Sequence, residues 1–220
     1  MIRVMMADDH PLVRAGLKHV LADCADIQFA GEVANGAELL RKLRDESFDV
    51  VLLDMFMPGR NGMELIKQVK SEHPKLPVLV LSTHAEEMFA LRTLKAGASG
   101  YLCKDFAAEK LVDAIRKVAG GGLFISPAVA ELMARDLHAP MHEVVPHTLL
   151  SDREFQIFLL IANGHASGEI ASRLSLSIKT VSSHKARIKE KTGLTNNSDI
   201  VRYALRHRLV TEHDGSGNAD

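Results

Sequence analysis

Three carboxylates, a hydroxyl and a lysine stand at the ends of short β-rich runs in the first half of the chain. Asp8 and Asp9 follow the first run, Asp54 ends the third, Ser82 ends the fourth, and Lys104 follows the fifth. If the runs are parallel strands of one sheet, these ends meet at the rim where such sheets bind ligands. Carboxylates placed together repel one another unless a cation joins them, and an all-oxygen ligand set favours Mg²⁺. The set predicts a magnesium site; an acidic rim used for solubility, with Asp9 as a helix cap, is the alternative.

The same residues bear on two kinds of phosphate enzyme. A phosphate-binding P-loop requires G-x-x-x-x-G-K-[ST], whereas the first run is followed by Asp8-Asp9-His10-Pro11, which contains no glycine. An aspartyl-phosphatase of the haloacid dehalogenase type has a second aspartate two residues after its nucleophile, and Phe56 occupies that place here. The Asp54 carboxylate can accept a phosphoryl group, but no obvious side chain is placed to hydrolyse it rapidly.

Strand and helix patterns alternate along residues 1–122. The runs at 50–53 and 78–81 are apolar at every position, as in strands buried within a parallel sheet. Helical periodicity fills the gaps, and three consecutive glycines end the last helical segment. The pattern predicts an α/β domain with a doubly wound, five-stranded parallel sheet. The predicted strands are Ile2–Ala7, Ile27–Val33, Asp49–Asp54, Pro77–Ser82 and Gly100–Cys103.

Composition and charge exclude several classes of protein. The 220 residues are 46% hydrophobic and 25% charged, with a net charge of -1, which is the balance of a globular protein. No apolar run approaches the ~18 residues of a membrane span, and two cysteines are too few for a disulfide scaffold, so we expect a cytoplasmic protein with no membrane partner. The charge is divided unevenly, because residues 1–147 have 17 basic and 20 acidic side chains, residues 148–210 have 10 and 5, and the tail has three acids. This asymmetry indicates a basic module joined to an acidic one.

The basic module, residues 148–210, has helical periodicity throughout. A helix, a short helix, a three-residue turn and a basic helix predict a small all-α helix-turn-helix domain, whose second helix enters the major groove of DNA. On that helix Val181, His184 and Ile188 share a stripe that faces the core, while small polar side chains ringed by cations lie opposite. The cations suit phosphates, and serine hydroxyls read bases weakly. The predicted DNA-binding residues are Lys179, Thr180, Ser182, Ser183, Lys185, Arg187 and Lys189; an ordinary solvated helix is the alternative.

Two further segments belong to neither domain. Residues 123–147 break the strand–helix alternation and predict a linker with a short helix from Ser126-Pro127 to Arg135. The tail 211–220 contains Gly-Ser-Gly-Asn and is predicted to be disordered.

Four segments of the first domain closely resemble response-regulator receiver domains. They are Asp8-Asp9-His10-Pro11, Leu53-Asp54-Met55-Phe56-Met57-Pro58-Gly59, Leu81-Ser82-Thr83-His84 and Gly100-Tyr101-Leu102-Cys103-Lys104-Asp105. The resemblance implies that Asp54 is the phosphoacceptor and that a sensor histidine kinase is the partner. It also implies a metal site for Mg²⁺, bound directly by Asp9, largely through water by Asp8, and by the backbone carbonyl of Phe56.

The resemblance further implies three residues that respond to the phosphoryl group. Lys104 would pair with its oxygens, Ser82 would move to bond one of them, and Tyr101 would act as the switch aromatic. A Tyr101 that only covers the sheet edge is the alternative. His10 and His84 border the site and are expected to be loop or capping residues.

Four segments of the basic module look like LuxR-type (NarL/FixJ) effector domains. They are Leu150-Ser151-Asp152-Arg153-Glu154, Ile161-Ala162-Asn163-Gly164-His165, Glu169-Ile170-Ala171 with Leu174-Ser175-Leu176-Ser177, and Lys179-Thr180-Val181-Ser182-Ser183-His184. Many members have lysine in place of Ser182 and another cation in place of Ala186. Because the family dimerises on DNA through its last helix, Val201, Leu205 and Leu209 are predicted to pair in a homodimer that binds two half-sites of double-stranded DNA; a fully buried last helix is the alternative.

Both resemblances predict one kind of protein, a two-component response regulator of the NarL/FixJ family. Phosphorylation of Asp54 would control DNA binding and transcription, with no enzymatic activity beyond assisting that phosphorylation and its reversal. A regulator with a vestigial receiver and an aspartyl-phosphate phosphohydrolase are the alternatives. Because family members vary at the place of Phe56 and tune dephosphorylation there, we also predict a long-lived phosphoryl group.

Overall fold

The computed structural model describes residues 1–57, 62–82, 86–105, 108–138, 145–207 and 209–210. The chain divides into two compact units, Met1–Pro140 and Met141–Asp220. None of the described helices is long and apolar enough to cross a membrane. The tail predicted to be disordered lies outside the described residues, and the domain boundaries at 122 and 148 stay a prediction.

The first unit contains a parallel sheet of five strands in the order β2-β1-β3-β4-β5. This confirms the predicted doubly wound α/β fold. Its elements are β1 Ile2–Ala7, α1 Pro11–Ala22, β2 Ile27–Val33, α2 Gly36–Asp45, β3 Val50–Asp54, α3 Gly62–Glu72, β4 Val78–Ser82, α4 Glu86–Lys95, β5 Gly100–Cys103, α5 Ala108–Ala119 and α6 Pro127–His138.

Burial of apolar side chains places the sheet at the centre of this unit. Every residue of β3 and β4 is buried, and α5 covers one face with Leu111, Ile115 and Val118. A fully buried aliphatic side chain of this size contributes roughly 1.5–3 kcal/mol relative to an exposed one. The buried sheet therefore fixes the position at which each strand ends.

The register of the strands brings the polar residues to one rim. Ala7 of β1 pairs with Leu53 of β3, so the residues that follow them, Asp8 and Asp54, lie at the same level. Ser82 at the end of β4 pairs with Cys103, and its carbonyl accepts a hydrogen bond from the backbone N–H of Lys104 at 2.6 Å. Parallel pairing thus brings Asp8, Asp54, Ser82 and Lys104 to one rim.

The short helix expected after the sheet is observed as α6. The hydroxyl of Ser126 accepts a hydrogen bond from the backbone N–H of Val129 at 3.2 Å, and Val129 is buried. The helix packs against α4 and so lies with the first unit. Just before it, Phe124 bridges to Gly100 of β5, where an added Cβ would lie 2.7 Å from the Phe124 carbonyl oxygen, so this close approach requires glycine.

In the second unit, all the secondary-structure elements among the described residues are helices. It contains the 3-10 helix Pro146–Leu149, α7 Asp152–Ala162, α8 Ser167–Arg173, α9 Ile178–Thr192 and α10 Asn197–Arg206. This confirms the predicted helix-turn-helix domain, in which α8 and α9 flank the turn. A capping box of Ser151 and Glu154 begins α7, and Glu154 also accepts a 2.7 Å hydrogen bond from Lys191, which ties the end of α9 to the start of α7.

A hydrogen bond joins the beginning of this unit to its last helix. His147 Nδ1 of the 3-10 helix lies 3.0 Å from the hydroxyl oxygen of Tyr203 on α10. The Tyr203 ring also packs edge-on against Phe158 of α7, with centroids 6.1 Å apart. The first and last elements of the unit are therefore neighbours.

Candidate functional site

At the rim of the sheet, Lys104 lies between two buried carboxylates. Its Nζ is 2.7 Å from Asp8 Oδ2 and 3.2 Å from Asp54 Oδ1. Asp8 is fully buried and Asp54 is 3% exposed. Charge-assisted contacts of this length are strong, so the ammonium fixes the relative positions of the two carboxylates.

The charges at the rim do not balance. Burial raises the pKa of Asp54, the Lys104 ammonium opposes that shift, and the neighbouring charge of Asp8 and then of Asp9 adds to it. One ammonium cannot neutralise three carboxylates. An additional cation would lower the repulsion that ionised Asp54 meets.

Two buried carboxylate oxygens also lack hydrogen bonds. Within the described part of the chain, Asp9 Oδ1 and Asp54 Oδ2 accept none. A buried acceptor left in this state costs free energy that a bound cation would recover. Ligand atoms of Asp8, Asp9, His10 and Asp54 all lie within 4.8 Å of one another, so this group can hold a metal ion.

His10 belongs to this group, although the sequence suggested only a loop or capping residue. It occupies the N-cap position of α1, but its side chain makes no capping hydrogen bond. Its Nδ1 lies 2.9 Å from Asp9 Oδ1, 3.1 Å from Asp8 Oδ1 and 4.0 Å from Asp54 Oδ2. The position next to Asp9 was the only indication in the sequence. His84 lies outside the described residues.

The remaining predicted residues of the rim are found beside it. Ser82 is buried at the end of β4, on the strand next to that of Asp54. Phe56 is half-buried, and its ring packs edge-on against Phe89 of α4 with centroids 5.4 Å apart. Tyr101 is 1% exposed on β5. Its ring is thus buried in this structure, and its role as a switch stays a prediction.

In the second unit, α9 presents a polar face. Val181 and Ile188 are buried and His184 is half-buried, as the predicted core stripe requires. The face opposite this stripe exposes Lys179, Ser182, Ser183, Ala186 and Arg187. The exposed side chains of α9, including those of Lys179 and Arg187, therefore lie on one side of the helix.

A pocket lies between α8 and the polar face of α9. It has a volume of about 270 Å³ and is lined by Ser167, Ser182, Lys185, Ala186 and Lys189. Lys185 donates a hydrogen bond to the Ser167 hydroxyl at 3.3 Å. Ser167 was not predicted, because it lies on a different helix and no local pattern in the sequence connects it with Lys185. Two lysines and two hydroxyls beside an alanine suit a phosphate group.

The last helix has a buried and a half-buried side. Ile200 and Ala204 are buried, and Val201 and Leu205 are half-buried. Leu209 differs from the prediction that it faces a partner, because it is only 6% exposed. The apolar surface left for pairing is therefore smaller than the sequence suggested.

Two families match the chain in turn. Residues 4–116 match "Response regulator receiver domain", and residues 148–204 match "Bacterial regulatory proteins, luxR family". The first match covers the acidic rim and all but the first two residues of the sheet, and the second covers α7 to α9 and most of α10.

Similar proteins share both parts. Response regulator GacA from Pseudomonas aeruginosa is 39% identical over 210 residues, which are 96% of this chain and 98% of GacA. RcsB from Salmonella enterica serovar Typhimurium, solved bound to promoter rprA in the presence of phosphomimetic BeF3-, is 27% identical with a TM-score of 0.64, over 92% of this chain and 97% of RcsB. A structure of two RcsB dimers bound to two parallel DNAs is 28% identical with a TM-score of 0.57, over 92% and 96%.

Proposed function

The chain belongs to the response regulators that join a receiver domain to a LuxR-type DNA-binding domain, and from this we propose that phosphorylation of Asp54 controls its binding to DNA. The observation that carries the proposal is the state of Asp54. Its carboxylate is buried, has one oxygen without a hydrogen bond, and contacts Lys104 at 3.2 Å through the other. A nucleophile with a free lone pair thus lies beside a fixed positive charge.

The reaction is a phosphoryl transfer from a phosphohistidine of a sensor histidine kinase. An Asp54 oxygen forms a bond to phosphorus, the phosphorus–nitrogen bond breaks, and the histidine nitrogen leaves with the electron pair and takes up a proton. Lys104 offsets the charge on the phosphoryl oxygens, because positioning and electrostatic stabilisation supply most of the catalysis in such transfers. Ser82 moves to bond one phosphoryl oxygen, and Tyr101 shifts in response.

Asp8, Asp9, Asp54 and the backbone carbonyl of Phe56 would hold Mg²⁺. The unsatisfied oxygens and the oxygen-rich ligand set support this assignment. When bound, the ion would neutralise charge on the transferring phosphoryl group.

Phosphorylation would then favour a homodimer that places two copies of α9 in the major groove at two half-sites of double-stranded DNA. Val201 and Leu205 supply the half-buried apolar surface for that pairing. The DNA contacts come from Lys179, Thr180, Ser182, Ser183, Lys185, Arg187 and Lys189, with Ser167 beside them. The complexes of RcsB with DNA support this arrangement by similarity.

Incubation with acetyl phosphate and Mg²⁺, followed by intact mass and by binding to a pool of random DNA duplexes, tests the proposal. We expect a stable adduct of about 80 Da, one phosphoryl group, together with tighter DNA binding. Asp54→Ala should abolish both effects, whereas Asp113→Ala, at an exposed position on α5, should keep them. Absence of the adduct would indicate a vestigial receiver, and rapid repeated turnover of the donor would indicate a phosphohydrolase.

A further inference from the structure

The spacing of donor atoms around His10 matches that of ligands around a single metal ion. With metal–ligand bonds of about 2.1 Å, adjacent donors of an octahedral site lie about 3.0 Å apart and opposite donors about 4.2 Å. His10 Nδ1 lies 2.9 Å from Asp9 Oδ1, 3.1 Å from Asp8 Oδ1 and 4.0 Å from Asp54 Oδ2. The imidazole nitrogen therefore has two adjacent neighbours and one opposite neighbour.

Asp8 Oδ1 accepts a hydrogen bond from the backbone N–H of His10 at 2.8 Å, but the other two oxygens that face the imidazole nitrogen have no such partner in the described part of the chain. Asp54 Oδ2 and Asp9 Oδ1 are buried and accept no hydrogen bond within the described residues. Asp54 itself is only 3% exposed, so water has little access to it. His10, by contrast, has a side chain that is 62% exposed and can adjust its ring to a ligand from the solvent side.

An imidazole changes which ions such a site prefers. Mg²⁺ is bound by carboxylate, carbonyl and water oxygens, whereas Ni²⁺, Cu²⁺ and Zn²⁺ also bind imidazole nitrogen well. We propose that His10 Nδ1 joins Asp8, Asp9 and Asp54 in binding a transition-metal divalent cation that competes with Mg²⁺ at the rim. This inference rests on the carboxylate site of the proposed function and adds a nitrogen ligand to it.

Competition follows from the number of protein ligands. Four protein donors leave two positions of an octahedral ion for a phosphoryl oxygen and water, whereas Mg²⁺ usually keeps several waters. The transition metal would bind Asp8, Asp9 and Asp54, which would also hold Mg²⁺, and it would therefore exclude Mg²⁺ from the rim. Such an ion should therefore slow the Mg²⁺-dependent phosphorylation of Asp54.

Titration calorimetry of the full chain with NiCl₂ tests the role of His10. The substitution His10→Asn removes the imidazole, and asparagine is a preferred N-cap residue, so α1 should be kept. We expect His10→Asn to weaken Ni²⁺ binding at the rim by about tenfold or more, as loss of ligand support commonly does. His19→Asn, which changes an exposed histidine on the same helix, should bind Ni²⁺ like the wild type. Equal Ni²⁺ affinity in His10→Asn and the wild type would overturn the inference.

Two further readouts separate this inference from the proposed function. In the Cu²⁺-loaded protein, electron paramagnetic resonance should show coupling to an imidazole nitrogen that His10→Asn loses; coupling that persists in this variant contradicts the assignment. Ni²⁺ should suppress the phosphoryl adduct in the wild type at concentrations that spare His10→Asn. If no adduct forms with Mg²⁺ alone in any of the proteins, the proposed function fails, while the Ni²⁺ and Cu²⁺ measurements still decide the role of His10.

Discussion

Lys104 lies closer to Asp8 than to Asp54, at 2.7 Å from Asp8 Oδ2 against 3.2 Å from Asp54 Oδ1. Asp8 is fully buried and also accepts a hydrogen bond from the backbone N–H of His10 at 2.8 Å. Asp8 therefore contacts both the Lys104 ammonium and the backbone at the start of α1. Besides any part in metal binding, Asp8 acts as a positioning residue for the ammonium next to Asp54, the proposed phosphoacceptor.

Removing the Lys104 charge should destabilise the first unit. Lys104→Met leaves Asp8 and Asp54 buried beside each other without a cation, and breaking a buried pair in this way costs about 3–5 kcal/mol. Thermal unfolding in EDTA, followed by circular dichroism, should show a lower midpoint for the first unit. Lys110→Met, at an exposed position on α5, is the matched control and should change little. Equal midpoints for the two variants would mean that the rim carboxylates do not depend on Lys104.

The phosphoryl group on Asp54 should be long-lived. Phe56 places an apolar ring two residues after Asp54, packed edge-on against Phe89, and that ring offers no group to activate or orient water. We expect a half-life of many minutes by intact mass after removal of the donor, and a shorter one in Phe56→Asn. A half-life of seconds in the wild type contradicts this explanation.

The cations flanking the polar face of α9 should contact phosphates. We expect Lys185→Ala and Arg187→Ala to weaken binding by similar factors on all duplexes, and to reduce the slope of log affinity against log salt by about 0.9 per lost contact. Fluorescence anisotropy over a salt series measures both quantities, with Lys110→Ala as control. If either variant instead relaxes preference at a single base position, that side chain reads a base.

Protonation of His184 should destabilise the second unit. Burial lowers the pKa of His184; the charge of Glu154 opposes this shift, and the charges of Arg153 and Arg187 add to it. The Nδ1 of His184 has no hydrogen bond among the described residues. The pKa of His184 in the folded protein lies below its unfolded value near 6.5. The contribution of neutral His184 to the free energy of unfolding is therefore complete above that pH. It is lost as the pH falls through the folded pKa, by at most about 1.4 kcal/mol per pH unit.

Thermal unfolding between pH 7.5 and 5.5 measures the His184 contribution. The midpoint should fall less steeply in His184→Gln than in the wild type. His19→Gln removes an exposed histidine from the other unit and should follow the wild-type curve. Parallel curves for all three proteins would place the pH dependence elsewhere.

The sheet and the carboxylate rim were predictable because the residue pattern within each segment predicts a strand, and parallel pairing then aligns the strand ends. Strands β3 and β4 are apolar at every position except the last, Asp54 and Ser82, which is typical of strands buried on both faces. Parallel strands bring their carboxyl ends to one rim, so Asp8 and Asp54 had to be neighbours once β1 and β3 were paired. The core stripe of α9 followed in the same way from helical periodicity.

Other parts depend on contacts that no local pattern encodes. His10 approaches three carboxylates because of the conformation that its side chain adopts at the start of α1. No periodicity or motif in the sequence specifies that conformation. Ser167 reaches Lys185 through the packing of α8 on α9. Leu209 has the helical spacing of an exposed apolar residue, but the chain turns after α10 and buries it, with its N–H donating to the Ala204 carbonyl at 2.8 Å.

The hydrogen bond between His147 and Tyr203 has a mechanical consequence. The chain enters the second unit at the 3-10 helix, which is hydrogen-bonded to α10 and also packs against α9. A displacement of the 3-10 helix would therefore reach both helices at once. In the proposed homodimer, one movement would then change the pairing surface on α10 and the position of α9 on DNA together.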